Sequence, residues 1–456
     1  MPDFAHMTLK QLIDPKGYAC DCGKHHAADC KYLAIERGAV NKLPEGLKAA
    51  GVKKPFVVCD KNTYAAAGKR VEEVLTAAGV PYVLYQIPEV NGEKLAPAER
   101  ELGSIVMHFD PSCDFLLAVG GGVINDLCKV TAHATGHLSG IVGTAPSMDG
   151  FASNSSSMEV DQVKTTLYNR TPAVIVLDTE IMAQAPMRML WAGLGDMVAK
   201  YISVCEWRIT NLVNGEYYCE SVADMMRTAL RKIMAVSDKI TSRDPDAIGS
   251  VAEGLVLAGL AMSYAEVSRP ASGLEHYFSH MWEMLALERG KVADLHGIQV
   301  GVGTILTMKI YERIKNITPD RARAEKAMAD FDPKAWEANV RRVFGKTAPA
   351  VLAIEAKAGK NDPAKHAKRL DAILAHWDEI QKIIAEELPT LEYLESAMKQ
   401  TGMPMTPADL GISTQDVVDA FVCSRDIRDK YLSGSLLWDI GWMDEIAAWL
   451  PSVCNE

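Results

Sequence analysis

The 456-residue chain predicts an α/β domain over residues 1–178 followed by an all-α domain over residues 179–456. Three observations carry that reading. Short apolar runs alternate with amphipathic segments through the first third, three consecutive glycines close one of those runs, and beyond about Asp178 long helical periodicities take over.

Pro55–Cys59 (Pro-Phe-Val-Val-Cys) is an uninterrupted apolar run of strand length, ended by Asp60. An amphipathic helix is predicted from Tyr64 to Ala78, a strand from Tyr82 to Ile87, a helix from Pro97 to His108 and a strand from Asp114 to Val119. Strands separated by helices are joined by crossovers, which makes the sheet parallel. Helices are then predicted over Leu190–Asn211, Ser221–Ser237, Ala247–Val267, Leu274–Leu287 and Val300–Ile314. The Ala-, Lys-, Glu- and Asp-rich stretch at about 315–391 is an extra helical insertion with a solvated exterior.

Composition narrows the functional classes. Apolar residues make up 48% and charged residues 23%, as in ordinary globular proteins. A net charge of −11 argues against a broad nucleic-acid surface while leaving room for a local basic pocket. No apolar run reaches the roughly 18 residues of a membrane span; Gly254–Ala265 comes nearest and is flanked by Glu253 and Glu266. The N-terminus lacks the charged-then-apolar pattern of a signal peptide, so a cytoplasmic location is expected. Ten cysteines in this length do not make a disulfide scaffold. Cys20, Cys22, His25, His26 and Cys30 cluster near the start, as a small zinc knuckle of unusual Cys-x-Cys spacing or as a reduced, partly buried loop or strand.

The run Gly120-Gly121-Gly122-Val123-Ile124-Asn125-Asp126 leaves the third strand and opens a helix. Glycines let the backbone approach a pyrophosphate, and a helix N-terminus supplies N–H donors and partial positive charge. The run is not Gly-x-Gly-x-x-Gly and does not follow the first strand, so a standard Rossmann unit fits poorly; a tight structural turn is the alternative. The next strand, near Ile141–Gly143, runs into Thr144-Ala145-Pro146-Ser147-Met148-Asp149-Gly150-Phe151-Ala152-Ser153. Hydroxyls and a carboxylate there stand where open α/β sheets bind ligands. Asp60, at another strand end, is a candidate acceptor for an adenosine ribose or simply a helix cap.

A second constellation joins Asp196, in Gly193-Leu194-Gly195-Asp196, to His276 and to His296 in Leu295-His296-Gly297. One carboxylate and two imidazoles form a divalent-metal set, and three protein ligands leave a coordination position open for catalysis. The glycines beside Asp196 suggest close approach of something bulky. His280 lies one helical turn from His276 on the same face, and Glu275 reads as a support for its neighbour. An Asp-His-His set discriminates poorly among zinc, nickel and iron.

These motifs resemble the iron-containing alcohol dehydrogenase / dehydroquinate synthase-like superfamily, and within it the glycerol-1-phosphate dehydrogenases, nearest their bacterial AraM-like branch. The resemblance runs from about Val57 to Ile310 and resumes around Arg425 to Leu437, with Ser268-Arg269-Pro270-Ala271-Ser272-Gly273 among its segments. It implies an N-terminal nucleotide-binding domain, a helical metal domain and an active site in the interdomain cleft. It further implies metal ligands at Asp196, His276 and His296, and NAD(P) contacts at Asp60, Gly122, Val123, Ile124, Asn125, Asp126, Thr144, Ala145, Pro146, Ser147 and Ser153. Substrate contacts fall on Asp149, Asp196 and His280, with catalytic roles for Asp196 and His280.

The implied activity is reversible, metal-dependent reduction of dihydroxyacetone phosphate to sn-glycerol 1-phosphate by NAD(P)H, in a homo-oligomer, a dimer at its simplest. The proton would come from His280, a bound water or the cofactor ribose. Lys164 and Arg269 are candidate cations for the phosphate. Competing expectations are a glycerol or other polyol dehydrogenase, a dehydroquinate-synthase-like lyase that recycles its NAD, and a non-enzymatic binding protein built on the N-terminal Cys/His cluster. The family pattern explains neither that cluster nor the helical insertion.

Overall fold

Six of the strands assemble into one parallel sheet in the computed structural model, which describes residues 1–90, 95–160 and 163–456. Numbered along the chain, the strands are β1 (Tyr18–Ala19), β2 (His25–His26), β3 (Tyr32–Glu36), β4 (Pro55–Cys59), β5 (Val83–Gln86), β6 (Phe115–Gly120), β7 (Leu138–Gly143), β8 (Ser155–Val160), β9 (Val163–Tyr168) and β10 (Val174–Asp178). The main sheet has the order β3-β10-β7-β6-β4-β5; β1–β2 and β8–β9 are separate antiparallel pairs.

β4, β6 and β10 are buried along their whole length, which explains their unbroken apolar sequences: helices cover both faces of a parallel sheet. Val57, Leu117, Val142 and Val176 share one core with Val71 and Leu75 of the covering Lys69–Ala77 helix. The helix predicted from Tyr64 begins as a π-helical turn, Tyr64–Gly68, before regular α-helix resumes. Two strands of this sheet are not among those predicted: β3, an edge strand with only Ala34 buried and no apolar run, and β10, which does carry such a run.

From β4 the chain steps outward to the edge strand β5, then returns to place β6 on the other side of β4. The winding direction reverses between β4 and β6, and the carboxyl ends of two such strands frame the crevice where open α/β sheets bind ligands. Asp60 follows β4 and Gly121 follows β6, so topology brings two motifs distant in sequence to one crevice.

Contacts divide the chain into two compact units, Met1–Met197 with Cys219–Ala271 and Val198–Tyr218 with Ser272–Glu456. A single cut after Asp178 does not reproduce this division. The cause is the Pro245–Ala265 helix, whose sequence reads as part of the helical half but which packs on the Asp149–Ala152 turn of the first unit. Ser263 Oγ donates to Ala152 O at 2.9 Å. By length and composition this helix would be apolar enough to cross a membrane, yet 83% of its most apolar window is buried in the protein.

The predicted Leu190–Asn211 helix is two helices, Met187–Val198 and Lys200–Asn214. The insertion forms five, from Arg321–Ala329 to Trp377–Glu387. Asp320, Asp332 and Asp362 accept backbone N–H bonds at three of their starts, and prolines stand at the first turn of two of those.

Gly259 tests how closely the Pro245–Ala265 helix seats the turn: a Cβ there would stand 2.8 Å from Asp149 O and 2.9 Å from Ala152 N. Gly259→Ala is expected to lose about 1–3 kcal/mol of stability in urea denaturation. An unchanged midpoint would show that the turn does not rest on this helix.

Candidate active site

The glycine turn in the first unit has the form a pyrophosphate needs. Gly121 is the N-cap of the Gly122–Thr135 helix, with extended backbone and no side-chain cap on the first-turn N–H groups. A Cβ on Gly121 would meet nothing nearer than Ser147 Oγ at 3.9 Å, so the space over the turn is open and Ser147 faces it. Its neighbours are glycines for internal reasons, since a Cβ on Gly120 would strike Ile124 at 2.7 Å and one on Gly122 would strike Met148 at 2.9 Å. Thr144 N–H donates to Gly120 O at 3.0 Å, fixing the Thr144–Ser147 segment alongside.

Several residues with expected cofactor contacts are engaged by the protein itself. Asn125 Nδ2 donates to Gly150 O at 3.3 Å, and Asp126 Oδ2 accepts from Ser157 N–H at 2.9 Å. Asp126 Oδ1 lies 3.1 Å from the buried Lys129 ammonium. Ser153, buried, donates to Ser155 O at 2.9 Å and lies 3.3 Å from Lys129 Nζ. Ile124 is core. Asp60 caps the next helical turn, its Oδ1 accepting from Thr63 N–H at 2.7 Å. Gly122, Val123, Thr144, Ala145, Pro146 and Ser147 line the two segments that meet at the end of β6.

Asp196 is completely buried in the first unit, and its Oδ2 accepts the Asp149 N–H at 2.8 Å. The close approach that its glycines foretold is made by the chain itself: a Cβ on Gly193 would stand 1.9 Å from Pro146 O. Gly193 thus lets the Met187–Val198 helix lie directly on the loop that carries Ser147 and Asp149.

The second unit gathers the histidines. His276 and His280 lie one turn apart on the Leu274–Glu288 helix, and His296 opens the His296–Ile314 helix. The rings of His276 and His296 are 5.4 Å apart between centroids, as are those of His280 and His296. His276 Nδ1 lies 2.8 Å from Glu275 Oε1, and His296 Nδ1 lies 3.1 Å from Glu283 Oε1 and 3.0 Å from Ser279 Oγ. A proton on each Nδ1 satisfies these acceptors and puts the lone pair on each Nε2, the tautomer that ligates a metal.

Glu283 is the residue that sequence reasoning missed. Its signal was present in the His276, His280, Glu283 spacing of four and three, which sets all three on one helical face. His280, Glu283 and His296 also have ligand atoms within 4.8 Å of one another, a second donor set inside this unit.

Glu275 is fully buried, its Oε1 accepting from Gly273 N–H at 2.8 Å. Burial, and then the Glu206 carboxylate, push Glu275 up to about 8. Glu206 in turn accepts from Leu274 N–H at 3.0 Å, Ser433 N–H at 2.9 Å and Ser433 Oγ at 2.5 Å. These bonds cap the histidine helix and tie it to the Ser433–Asp439 helix. Burial, and then the charge of Arg428, hold the His280 imidazole down to about 3. At neutral pH the ring is therefore neutral and hydrogen-bonds without an imidazolium proton to give.

Of the two anticipated phosphate cations, Arg269 is buried and Lys164 is half-buried opposite Glu159 in the β8–β9 pair. Arg428, felt at His280, is a cation that motif reading did not single out. A cavity of about 350 Å³ in the second unit, among Lys360, Arg369, Arg425 and Asp439, includes none of the histidines.

A family profile described as iron-containing alcohol dehydrogenase matches residues 34–186. The glycerol-1-phosphate dehydrogenase [NAD(P)+] of Bacillus licheniformis is 36% identical over 348 residues, covering 74% of this chain and 86% of that protein. The protein of the same name from Halalkalibacterium halodurans is 36% identical over 294 residues, 64% of this chain and 74% of its own length. Among solved structures, glycerol dehydrogenase from Schizosaccharomyces pombe superposes with a TM-score of 0.60 at 15% identity, covering 96% of this chain and 93% of its own. NADH-dependent butanol dehydrogenase A from Thermotoga maritima gives 0.57 at 15% identity, covering 95% and 99%. At such identities the superpositions show a shared fold, the dehydroquinate synthase-like one.

Two outcomes follow from the histidine geometry. Glu283→Gln should weaken divalent-metal binding by about 10–100-fold in a competition titration, because the orienting carboxylate for His296 is lost; unchanged affinity would remove Glu283 from the site. The pH profile of kcat/KM should carry no His280 ionisation between pH 5 and 8, because a group depressed to about 3 is already neutral there and a cation nearby lowers it further. A limb near pH 6.5 that disappears in His280→Asn would contradict this.

Proposed function

Because this chain belongs to the glycerol-1-phosphate dehydrogenase family of iron-containing alcohol dehydrogenases, we propose that it reduces dihydroxyacetone phosphate reversibly to sn-glycerol 1-phosphate with NAD(P)H. One observation supports the reading: His276 and His296 each turn Nδ1 to a glutamate, an arrangement suited to ligation through Nε2. We propose Asp196 as the carboxylate that completes the set. Such a one-carboxylate, two-imidazole set fits zinc, nickel or iron and leaves positions open.

When bound, a divalent ion supplies Lewis-acid polarisation of a ketone and the nicotinamide supplies hydride. The residues of this chain hold and orient. Glu275 and Glu283 fix the imidazole tautomers. The Asp149 N–H fixes Asp196, and the Asp149 carboxylate is proposed to orient a substrate hydroxyl. His280, neutral, is proposed to hydrogen-bond the substrate, which leaves proton delivery to water or the cofactor ribose. Arg428 is proposed as the local cation for the phosphate, a need that an overall charge of −11 does not meet by long-range attraction.

The uncapped glycine turn at the β4/β6 crevice suits the pyrophosphate, with Ser147 beside it. The carboxylate of Asp60, at the same crevice, favours a 2′-hydroxyl over a 2′-phosphate and so NADH over NADPH. Assembly as a homodimer is part of the proposal and is read by light scattering.

The reading is tested by metal analysis coupled to NADH oxidation. Dihydroxyacetone phosphate should be preferred to dihydroxyacetone; the opposite preference would make the chain a glycerol dehydrogenase. Turnover with no net change in NADH would instead indicate a lyase. Asp196→Asn, His276→Ala and His296→Ala should each abolish activity and binding of the ion at this set, with the fold intact by circular dichroism. His280→Ala should retain the metal, and loss of metal there with retention in His276→Ala would move the ion to the His280, Glu283, His296 set. Arg428→Gln should raise KM for dihydroxyacetone phosphate at least about tenfold, the loss of a charge-assisted pair, while reduction of dihydroxyacetone changes little.

A further inference from the structure

The N-terminal cysteine cluster is completed by a residue that lies far away in sequence. Cys20 Sγ is 3.7 Å from Cys219 Sγ, Cys22 Sγ is 3.3 Å from His26 Nε2, and Cys219 Sγ is 3.5 Å from the same nitrogen. The four ligand atoms all lie within 4.8 Å of one another. A tetrahedral zinc ion with bonds of about 2.3 Å to sulfur and 2.0–2.1 Å to nitrogen sets sulfurs about 3.8 Å apart and sulfur about 3.6 Å from nitrogen. The four side chains therefore already stand close to the edges of a zinc tetrahedron.

Local structure supports each ligand. β1 and β2 form a hairpin pairing Tyr18 with His26 and Ala19 with His25. Its turn is closed by Gly23 N–H to Cys20 O at 3.0 Å and Cys20 N–H to Lys24 O at 3.1 Å, with Gly23 at φ +87. That turn carries both Cys20 and Cys22. His26 is fully buried, stacked on Tyr264 and edge-on to Phe4. Its Nδ1 lies 2.9 Å from Tyr264 O, so the proton sits there and the lone pair of Nε2 faces the sulfurs. Cys219 is the N-cap residue of the Glu220–Met234 helix. Cys30 and His25 stand apart: the Cys30 thiol lies 3.3 Å from Tyr32 O, and His25 Nε2 lies 2.8 Å from Lys16 O.

We propose that Cys20, Cys22, His26 and Cys219 bind a structural zinc ion, separate from the catalytic ion, that ties the N-terminal hairpin to the start of the Glu220–Met234 helix. Three thiolates and one imidazole fill a tetrahedron and leave no position for substrate, the mark of a structural and not a catalytic site. The ion also explains why this chain keeps two cysteines and a histidine in a short N-terminal hairpin. Folding and zinc binding would then be linked.

The full-length His296→Ala protein, stripped of zinc with a chelator in reducing buffer, is titrated with cobalt. The Asp-His-His set contains no sulfur, so thiolate-to-cobalt charge transfer in the near ultraviolet reports this site alone. One equivalent of cobalt should develop that band together with the visible bands of tetrahedral cobalt. As purified, His296→Ala should retain one zinc per chain by elemental analysis, and Cys22→Ser or Cys219→Ser in that background should lose it. The proposal is overturned by absence of the charge-transfer band at stoichiometric cobalt, or by a Cys20–Cys219 disulfide in the protein isolated without reductant. Where a serine variant fails to fold, the spectrum of the His296→Ala protein still decides.

Discussion

Buried carboxylates held by main-chain N–H groups are the constraint around which both units are built. A carboxylate taken out of water costs several kcal/mol unless its oxygens are paired. This chain buries Asp178, Asp196, Glu206 and Glu275 to 2% exposure or less. Each is answered by backbone donors: Gly38, Val40 and Glu180 for Asp178, Asp149 for Asp196, Leu274 and Ser433 for Glu206, and Gly273 for Glu275. Because the donors belong to turns and helix starts, pairing the buried carboxyl group fixes the segment. The Asp149 turn and the first turn of the histidine helix are set in this way.

The same logic continues one step outward in the second unit. Glu275 Oε1 and Glu283 Oε1 lie against the Nδ1 side of His276 and His296, so the carboxyl groups hold the orientation of each ring. Glycines serve the complementary purpose. Gly193 and Gly259 admit backbone atoms where no Cβ fits, and Gly121 has open space above it. One residue type thus marks both internal packing and open space, and only the neighbouring atoms tell the two apart.

Much of the architecture was legible in sequence. The apolar runs of β4 and β6, the glycine turn and the Pro245–Ala265 periodicity survive in place, because each is a local pattern, whereas the long Leu190–Asn211 periodicity breaks into two helices. Asp196, His276, His296 and His280 stand out as candidate donors by residue type and frame. What was not readable depended on partners. Ser153 and Asp126 look like cofactor contacts in a motif, yet Lys129 and backbone atoms engage them. Glu283 and Arg428 carried no motif of their own, and their relevance comes from what they face.

The sequence by itself determined the period of each segment, the glycine positions, the candidate donors and a likeness to one dehydrogenase family, since these reside in residue type and spacing along the chain. Tertiary structure alone decided that the Pro245–Ala265 helix joins the α/β unit, that the β4/β6 reversal brings Asp60 to Gly121, and that Cys219 meets a hairpin 199 residues away. It also decided which groups face each histidine ring, Glu275 for His276 and Ser279 with Glu283 for His296. Distances across the fold, hydrogen-bond direction and burial are properties of assembled neighbours, and no local stretch of sequence contains its neighbours.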